Sequence, residues 1–364
     1  MALSCGIVGL PLTGKTTLFN LMTGLDMEIS HFYSGKTKAN KGIAHIPDER
    51  VDFLADLYHP KKTTYAQLEV IDIPGLVQGA SKGEGSGNSF LEAIGEVDIL
   101  VHVLRAFEND DIMHVDDSVN IKRDLATIDT ELLLSDLAIC ETRLERIKSQ
   151  SRKKVENALE EPVLEKIKAA LEEEIPMSSL NLSEEEKDAV VHLSFLTNKP
   201  MVLVANLDEK QFKSGEYPGK DYLQEYATET KRELLEICAQ TEAEIAQLDD
   251  EDRALFLEDL NIEEPGIKRL AKTVYTSLGL ISFLTAGDDE VKAWTIRQGL
   301  TAKKAAGKIH SDIERGFIRA ELIAYDDLKR CGTMVKGREQ GLVRLEGKEY
   351  VMADGDIVNF RFNV

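Results

Sequence analysis

The run Gly9-Leu10-Pro11-Leu12-Thr13-Gly14-Lys15-Thr16 sets two glycines, a lysine and a hydroxyl at the spacing G-x-x-x-x-G-K-[ST]. That spacing suits the binding of a polyphosphate. The glycines let backbone N–H groups turn inward around a β-phosphate, and the helix that follows adds the partial positive charge of its N-terminus. Lys15 is expected to bridge the β- and γ-phosphates, and the Thr16 hydroxyl to hold Mg²⁺. The expected nucleotide contacts of this loop are Leu12, Thr13, Gly14, Lys15, Thr16 and Thr17.

Two more segments complete the chemistry. The apolar stretch Leu68-Glu69-Val70-Ile71 ends in Asp72-Ile73-Pro74-Gly75. A carboxylate at the end of such a strand belongs on the Mg²⁺ side of the site, and the Gly75 N–H can sense a γ-phosphate. Five glycines fall between 75 and 88, which reads as a switch segment continuing the metal-side turn. Where many GTPases keep a water-orienting Gln, this chain has Leu76, so another group must orient water or hydrolysis is very slow. The base-reading loop is expected after the strand 201–205, at Asn206-Leu207-Asp208-Glu209. A guanine-specific loop is usually N-K-x-D, its Asp accepting from the guanine N1–H and 2-amino groups. Here the lysine is missing and the acid is one methylene longer, which removes much of the preference for guanine and favours adenine.

These segments need a frame. Leu3–Val8, Leu68–Ile71, Ile99–Leu104 and Met201–Ala205 are short, rich in Val, Ile or Leu and followed by turn signals, as buried parallel strands are. Helical patterns lie at Thr16–Thr23 and Phe90–Ile94. Between 121 and 199 the texture changes. Leu133, Leu137, Cys140, Leu144 and Ile147 form one helical stripe, and Leu164, Ile167, Leu171 and Ile175 a second, with a polar turn near 149–160. This predicts a helical hairpin inserted into the α/β domain. From about 280 a small α+β unit is expected, with strands at Ile281–Thr285, Trp294–Ile296, Phe317–Ala324, Val343–Leu345, Tyr350–Met352 and Ile357–Phe362. Helices are expected there at Ala302–Ile309 and Asp326–Arg330.

Composition narrows the class. The 364 residues carry 65 Asp+Glu against 44 Lys+Arg, a net charge of −21, so the chain does not coat nucleic acid indiscriminately. Four cysteines, with no Cys-x-x-Cys spacing, suggest neither a disulfide framework nor a zinc site. No apolar run approaches a membrane span and no basic leader opens the chain, so a cytoplasmic protein without a membrane or DNA partner is expected.

The order of motifs resembles the YchF family of Obg-like ATPases over nearly the whole chain. The resemblance rests on Cys5-Gly-Ile-Val-Gly-Leu-Pro, Gly79-Ala-Ser-Lys-Gly-Glu-Gly, Arg105-Ala-Phe-Glu-Asn-Asp, Glu263-Glu-Pro-Gly, Phe283-Leu-Thr-Ala-Gly, Val291-Lys-Ala-Trp-Thr-Ile, Gly316-Phe-Ile-Arg-Ala-Glu and Phe360-Arg-Phe-Asn-Val. It implies an α/β P-loop G domain over 1–120 and 200–279, a helical coiled-coil insertion over 121–199, and a ubiquitin-like TGS domain over 280–364. It further implies slow, Mg²⁺-dependent hydrolysis of ATP in preference to GTP and association with the ribosome, with the large subunit as the expected contact and the protein a monomer. Carried over residue by residue, Lys15 and Thr16 take the phosphate and metal roles, Asp72 the Mg²⁺-side carboxylate, and Leu76 the hydrophobic replacement for Gln. Asn206, Leu207 and Glu209 match the N-x-x-E base loop, and His114 matches a histidine implicated in hydrolysis.

Three positions depart from the family pattern. The switch Thr aligns with Lys36, leaving Thr37 as the expected third Mg²⁺ ligand. Leu12 replaces an Asn linked to monovalent-cation activation, and Cys238-Ala239-Gln240 stands for Ser-Ala-Lys near the base. Two rivals of other classes stay open: a P-loop kinase, for which Arg50 and Arg105 make no arginine-rich lid, and a nucleotide-binding scaffold that does not hydrolyse. A GTP-specific translation GTPase is a third alternative. Local cations, Lys303, Lys304 and Lys308 or Arg143, Arg146, Lys148, Arg152, Lys153 and Lys154, are the expected ribosome contacts.

Overall fold

The computed structural model describes residues 3–28, 39–76, 87–109, 111–112, 114–149, 158–260 and 262–363. Twelve strands are found among them: β1 (Ser4–Val8), β2 (Asn40–Ile46), β3 (Lys62–Thr64), β4 (Ala66–Asp72), β5 (Ile99–Arg105), β6 (Met201–Asn206), β7 (Glu233–Ile237), β8 (Leu280–Thr285), β9 (Glu290–Arg297), β10 (Phe317–Ala324), β11 (Arg344–Glu346) and β12 (Asp356–Phe362). They form two six-stranded sheets, ordered β2-β4-β1-β5-β6-β7 and β11-β10-β12-β8-β9-β3. The chain divides into two compact units, Met1–Gly42 with Glu69–Leu270, and Ile43–Leu68 with Ala271–Val364.

In the first unit β4, β1, β5, β6 and β7 run parallel, so the ends of β1, β4, β5 and β6 lie along one sheet edge. The phosphate loop, Asp72, Arg105 and Asn206 follow from that edge, where open α/β sheets build their sites. β1, β5 and β6 are buried at every position, which explains their unbroken apolar sequence. One face of the sheet packs Val8, Ile71, Leu100, Leu104 and Leu203 against Ile94, Leu125, Ile128 and Leu223.

The hairpin consists of the helices Ile121–Ser149 and Glu160–Glu172, whose stripes meet through Leu133, Leu137, Cys140, Leu144, Ile147, Leu164, Ile167 and Leu171. Ile175 does not join them and is 39 % exposed. The helix ends at Glu172, and Glu174 at φ 61° turns the chain out of helical phase before Ile175. The buried carboxylate of Asp136 anchors the return of the insertion by accepting the N–H groups of Leu196 and Thr197 at 2.7 and 2.8 Å. No described helix is long and apolar enough to cross a membrane.

In the second unit Ala320, Leu322, Val358 and Phe360 pack on Ala302, Ala305 and Ala306 of the helix Ala302–Ile309. Tyr350–Met352, expected as a strand, holds only a single bridge, Thr301 with Val351. The residues just before it form a turn, with the Tyr350 N–H donating to Gly347 O at 3.2 Å.

Candidate functional site

The phosphate loop is shaped by backbone that most residues avoid. Gly14 caps the helix Lys15–Thr23 at φ 98°, and a Cβ there would lie 2.3 Å from Asn206 Nδ2. Leu12 also sits at positive φ, 62°, without glycine's freedom. Thr13 Oγ1 donates to Leu10 O at 3.1 Å, and Lys15 Nζ donates to the same carbonyl at 2.6 Å.

Lys15 is 7 % exposed. Burial lowers its pKa to about 8, although Asp72 pulls in the opposite direction. Thr16 Oγ1 donates to Asp72 Oδ2 at 3.0 Å. A hydroxyl and a carboxylate side by side next to a buried ammonium are the hard oxygen donors that suit Mg²⁺. Thr17 stands half-buried on the first turn of the same helix. Gly75 packs so closely on Pro11 that a Cβ would approach it to 2.9 Å. Leu76 is 1 % exposed, its side chain in the core and its N–H donated to Gly9 O at 3.2 Å. Thr37, Lys36 and most of the glycine-rich segment, 77–86, lie outside the described residues.

Asn206 joins the loop after β6, the expected base-reading loop, to the phosphate loop. Its Nδ2 donates to Thr13 O at 3.0 Å and its Oδ1 accepts the Ala239 N–H at 3.1 Å. The Asn206 carbonyl accepts the N–H groups of Ala106 and Phe107. Leu207 is 2 % exposed, apolar where a guanine loop keeps its lysine. Asp208 is consumed as the N-cap of the helix Glu209–Ser214, its Oδ1 accepting the Gln211 N–H at 2.9 Å. Glu209 is exposed and paired with Lys213 at 2.6 Å.

His114 lies in the segment after β5. Arg105 ties this segment down: it donates to the carbonyls of Phe107, Asn109 and Ile112, at 3.2, 3.4 and 2.9 Å. His114 itself is buried. Its Nε2 is 3.0 Å from Asp124 Oδ2, and its Nδ1 accepts the Asp116 N–H at 3.1 Å. The structure therefore brings Leu12 through Thr16, Asp72, Gly75 and Asn206 together at one edge, while His114 faces Asp124. Arg105 opens the run Arg105-Ala-Phe-Glu-Asn-Asp, but nothing in that run shows which carbonyls it holds, and Asp124, following Lys122 and Arg123, carries no motif signal.

Of the expected ribosome-facing cations, Arg143 is taken by Glu160 at 2.6 Å, Lys148 approaches Glu165 at 3.8 Å, and Lys304 pairs with Glu314 at 3.4 Å. Arg152, Lys153 and Lys154 lie outside the described residues.

Comparison with known proteins agrees with this architecture. Residues 4–136 match a family described as 50S ribosome-binding GTPase, and 280–363 match the YchF GTPase C-terminal family, described as a protein of unknown function, DUF933. The chain is 45 % identical to the ribosome-binding ATPase YchF of Bacillus subtilis and 44 % identical to that of Escherichia coli O157:H7, over the full length of both partners. Among solved structures it is similar to the YchF GTPase of Schizosaccharomyces pombe, 34 % identical, with TM-score 0.85 over 99 % of this chain and 98 % of that one. A GTP-binding protein of Pyrococcus horikoshii, 17 % identical with TM-score 0.61 over 99 % of this chain and all of that one, shares the fold.

Proposed function

The chain belongs to the YchF family and is a P-loop nucleoside-triphosphate hydrolase, and from that premise we propose that it is a slow, ATP-preferring switch that acts on the ribosome in the cytoplasm. The observation that carries the chemistry is Lys15, buried beside the Thr16–Asp72 pair at the mouth of β1 and β4. Lys15 pairs with the β- and γ-phosphates, exchanging the Leu10 carbonyl for charged oxygens. Thr16 and Asp72 would hold Mg²⁺, with Thr37 as a proposed further ligand, and the ion would neutralise phosphate charge. The Gly75 N–H reads the γ-phosphate.

Base choice follows from what the loop lacks. Guanine brings an N1–H and a 2-amino donor. With Asp208 used as a helix cap, Glu209 drawn to Lys213 and Leu207 apolar, those donors meet no prepared carboxylate. Adenine carries neither donor and loses nothing. Slow turnover follows from Leu76, which cannot orient water; His114 is the group we assign to that task. In the proposed three-part division, the nucleotide domain carries the chemistry and the helical insertion and C-terminal domain the partner contacts, with the large ribosomal subunit as the proposed partner of a monomer.

Titration calorimetry of Lys15→Ala with MgATP tests the site. Affinity is expected to fall roughly tenfold or more, since a charge-assisted contact is lost, with the fold intact by circular dichroism. Unchanged affinity would put the nucleotide elsewhere. One observation favours a second reading, a nucleotide-bound scaffold without turnover: both nitrogens of His114 are already engaged. A single-turnover assay with the parent protein separates the two.

A further inference from the structure

The residue that faces His114 carries a further inference. Because the Asp116 N–H donates to Nδ1, the imidazole proton sits on Nε2 and is given to Asp124 Oδ2. Arg123 Nη2 also approaches Nδ1, at 3.4 Å. The only lone pair on the ring is therefore occupied, and in this arrangement His114 cannot accept a hydrogen bond from water. Both side chains are nearly sealed from solvent, 3 % exposed for His114 and 2 % for Asp124.

We propose that Asp124 is a positioning residue that holds His114 in a resting, non-catalytic arrangement, and that hydrolysis proceeds from the state in which this pair has parted. The inference rests on the reading of His114 as the water-orienting group. Three features make Asp124 suited to the task. It lies in the first turn of the helix Ile121–Ser149, its own N–H bonded to Asn120 O, so its position is fixed by the helix and not by the His114 segment. Its other oxygen, Oδ1, accepts from Arg123 Nε at 2.9 Å, so parting from His114 does not leave a buried carboxylate without a partner. The segment between β5 and this helix stays tethered by Arg105 through Phe107, Asn109 and Ile112 when the His114 end moves.

The pair then sets the rate. When only a fraction of molecules has His114 released, the observed rate is the rate of the released state multiplied by that fraction. A carboxylate is a stronger acceptor than an amide, so Asp124→Asn weakens the hold while keeping shape and an acceptor oxygen. The same helix runs on into the hairpin core through Cys140, Leu144 and Ile147. A partner that displaces the hairpin therefore acts on the base of the pair without touching the nucleotide.

The test is single-turnover ATP hydrolysis by the full chain, without ribosomes, for Asp124→Asn, His114→Ala and the double variant. Asp124→Asn is expected to accelerate hydrolysis about threefold to tenfold at unchanged ATP affinity, and the gain is expected to vanish in the double variant. A slowing, or an unchanged rate, would overturn the proposal. Acceleration that persists without His114 would overturn it too, by a route that bypasses the histidine. If His114→Ala alone leaves the rate unaltered, the reading of His114 fails as a separate result. Nitrogen NMR of the unaltered protein needs no variant to fold. It is expected to show His114 protonated on Nε2 without nucleotide, and to show that signature change with a non-hydrolysable ATP analogue and Mg²⁺. An identical signature in both states would contradict the proposal.

Discussion

Asn206 Nδ2 donates to Thr13 O at 3.0 Å across 193 residues of sequence, so the base loop and the phosphate loop are one hydrogen-bonded piece. Both ends of the amide are used, because Oδ1 accepts the Ala239 N–H. On the proposed reading, nucleotide selectivity and phosphate binding are expected to be coupled through this side chain.

Asn206→Ala leaves Thr13 O and the Ala239 N–H buried without their partner. Unsatisfied buried groups cost about 1–3 kcal/mol each, so the melting temperature is expected to fall. ATP and GTP affinities are expected to fall together, because the shared frame loosens. Thermal melting with calorimetry checks this; a loss confined to one nucleotide would show that Asn206 acts only on the base.

Leu12 stores strain at φ 62°. Asn tolerates the left-handed region that a leucine enters at a cost of roughly 1–2 kcal/mol. Leu12→Asn is expected to stabilise the nucleotide-free protein by about 1 kcal/mol in a denaturant titration. A destabilised variant would mean that the leucine side chain contributes packing that exceeds the strain.

Lys15 gives ATP binding a pH dependence. Its pKa in the free protein is lowered to about 8 by burial. Bound phosphates favour the charged amine, so binding takes up a proton once the free lysine begins to lose its own. Affinity is expected to be level below pH 8 and to fall by up to about tenfold per unit above it. Calorimetry in buffers of different ionisation enthalpy measures the proton uptake directly, and none at pH 9 would refute the assignment.

His102 concerns stability. It is fully buried on β5, and neither ring nitrogen has a partner among the described residues. Burial, with Arg232 and Lys15 adding to it, lowers its pKa to about 3. The unfolded chain therefore binds a proton that the folded chain refuses between pH ~6.5 and about 3. The stability associated with neutral His102 is fully present above the unfolded pKa and is lost as pH falls through that window. His102→Leu is expected to raise the melting temperature at pH 5 more than at pH 8. An equal shift at both would indicate a packing effect alone.

The parts of this molecule visible in its sequence are those governed by local rules. The phosphate loop, the buried strands β1, β5 and β6, and both hairpin stripes as far as Leu171 follow from spacing and apolar runs. β7 was not visible, because an edge strand reading Glu-Leu-Leu-Glu-Ile, half exposed, carries no buried-strand signal. β3, three residues with two exposed, is a strand only through its pairing with β9. The engagement of His114 by Asp124 was equally hidden, since no motif records which carboxylate of an acidic chain a histidine meets. Asp208 is the opposite case: Asp208-x-x-Gln211 has the spacing of a capping box, and the helix it starts is local.

Preference for ATP over GTP is the claim on which the account turns, since it rests on Leu207, Asp208 and Glu209 as the structure holds them. Titration calorimetry of the unaltered protein with MgATP and MgGTP under the same salt and pH measures it directly. The account predicts ATP bound at least several-fold more tightly, with Leu207→Lys combined with Glu209→Asp narrowing or reversing the gap. Equal affinities, or tighter binding of GTP by the unaltered protein, would contradict it.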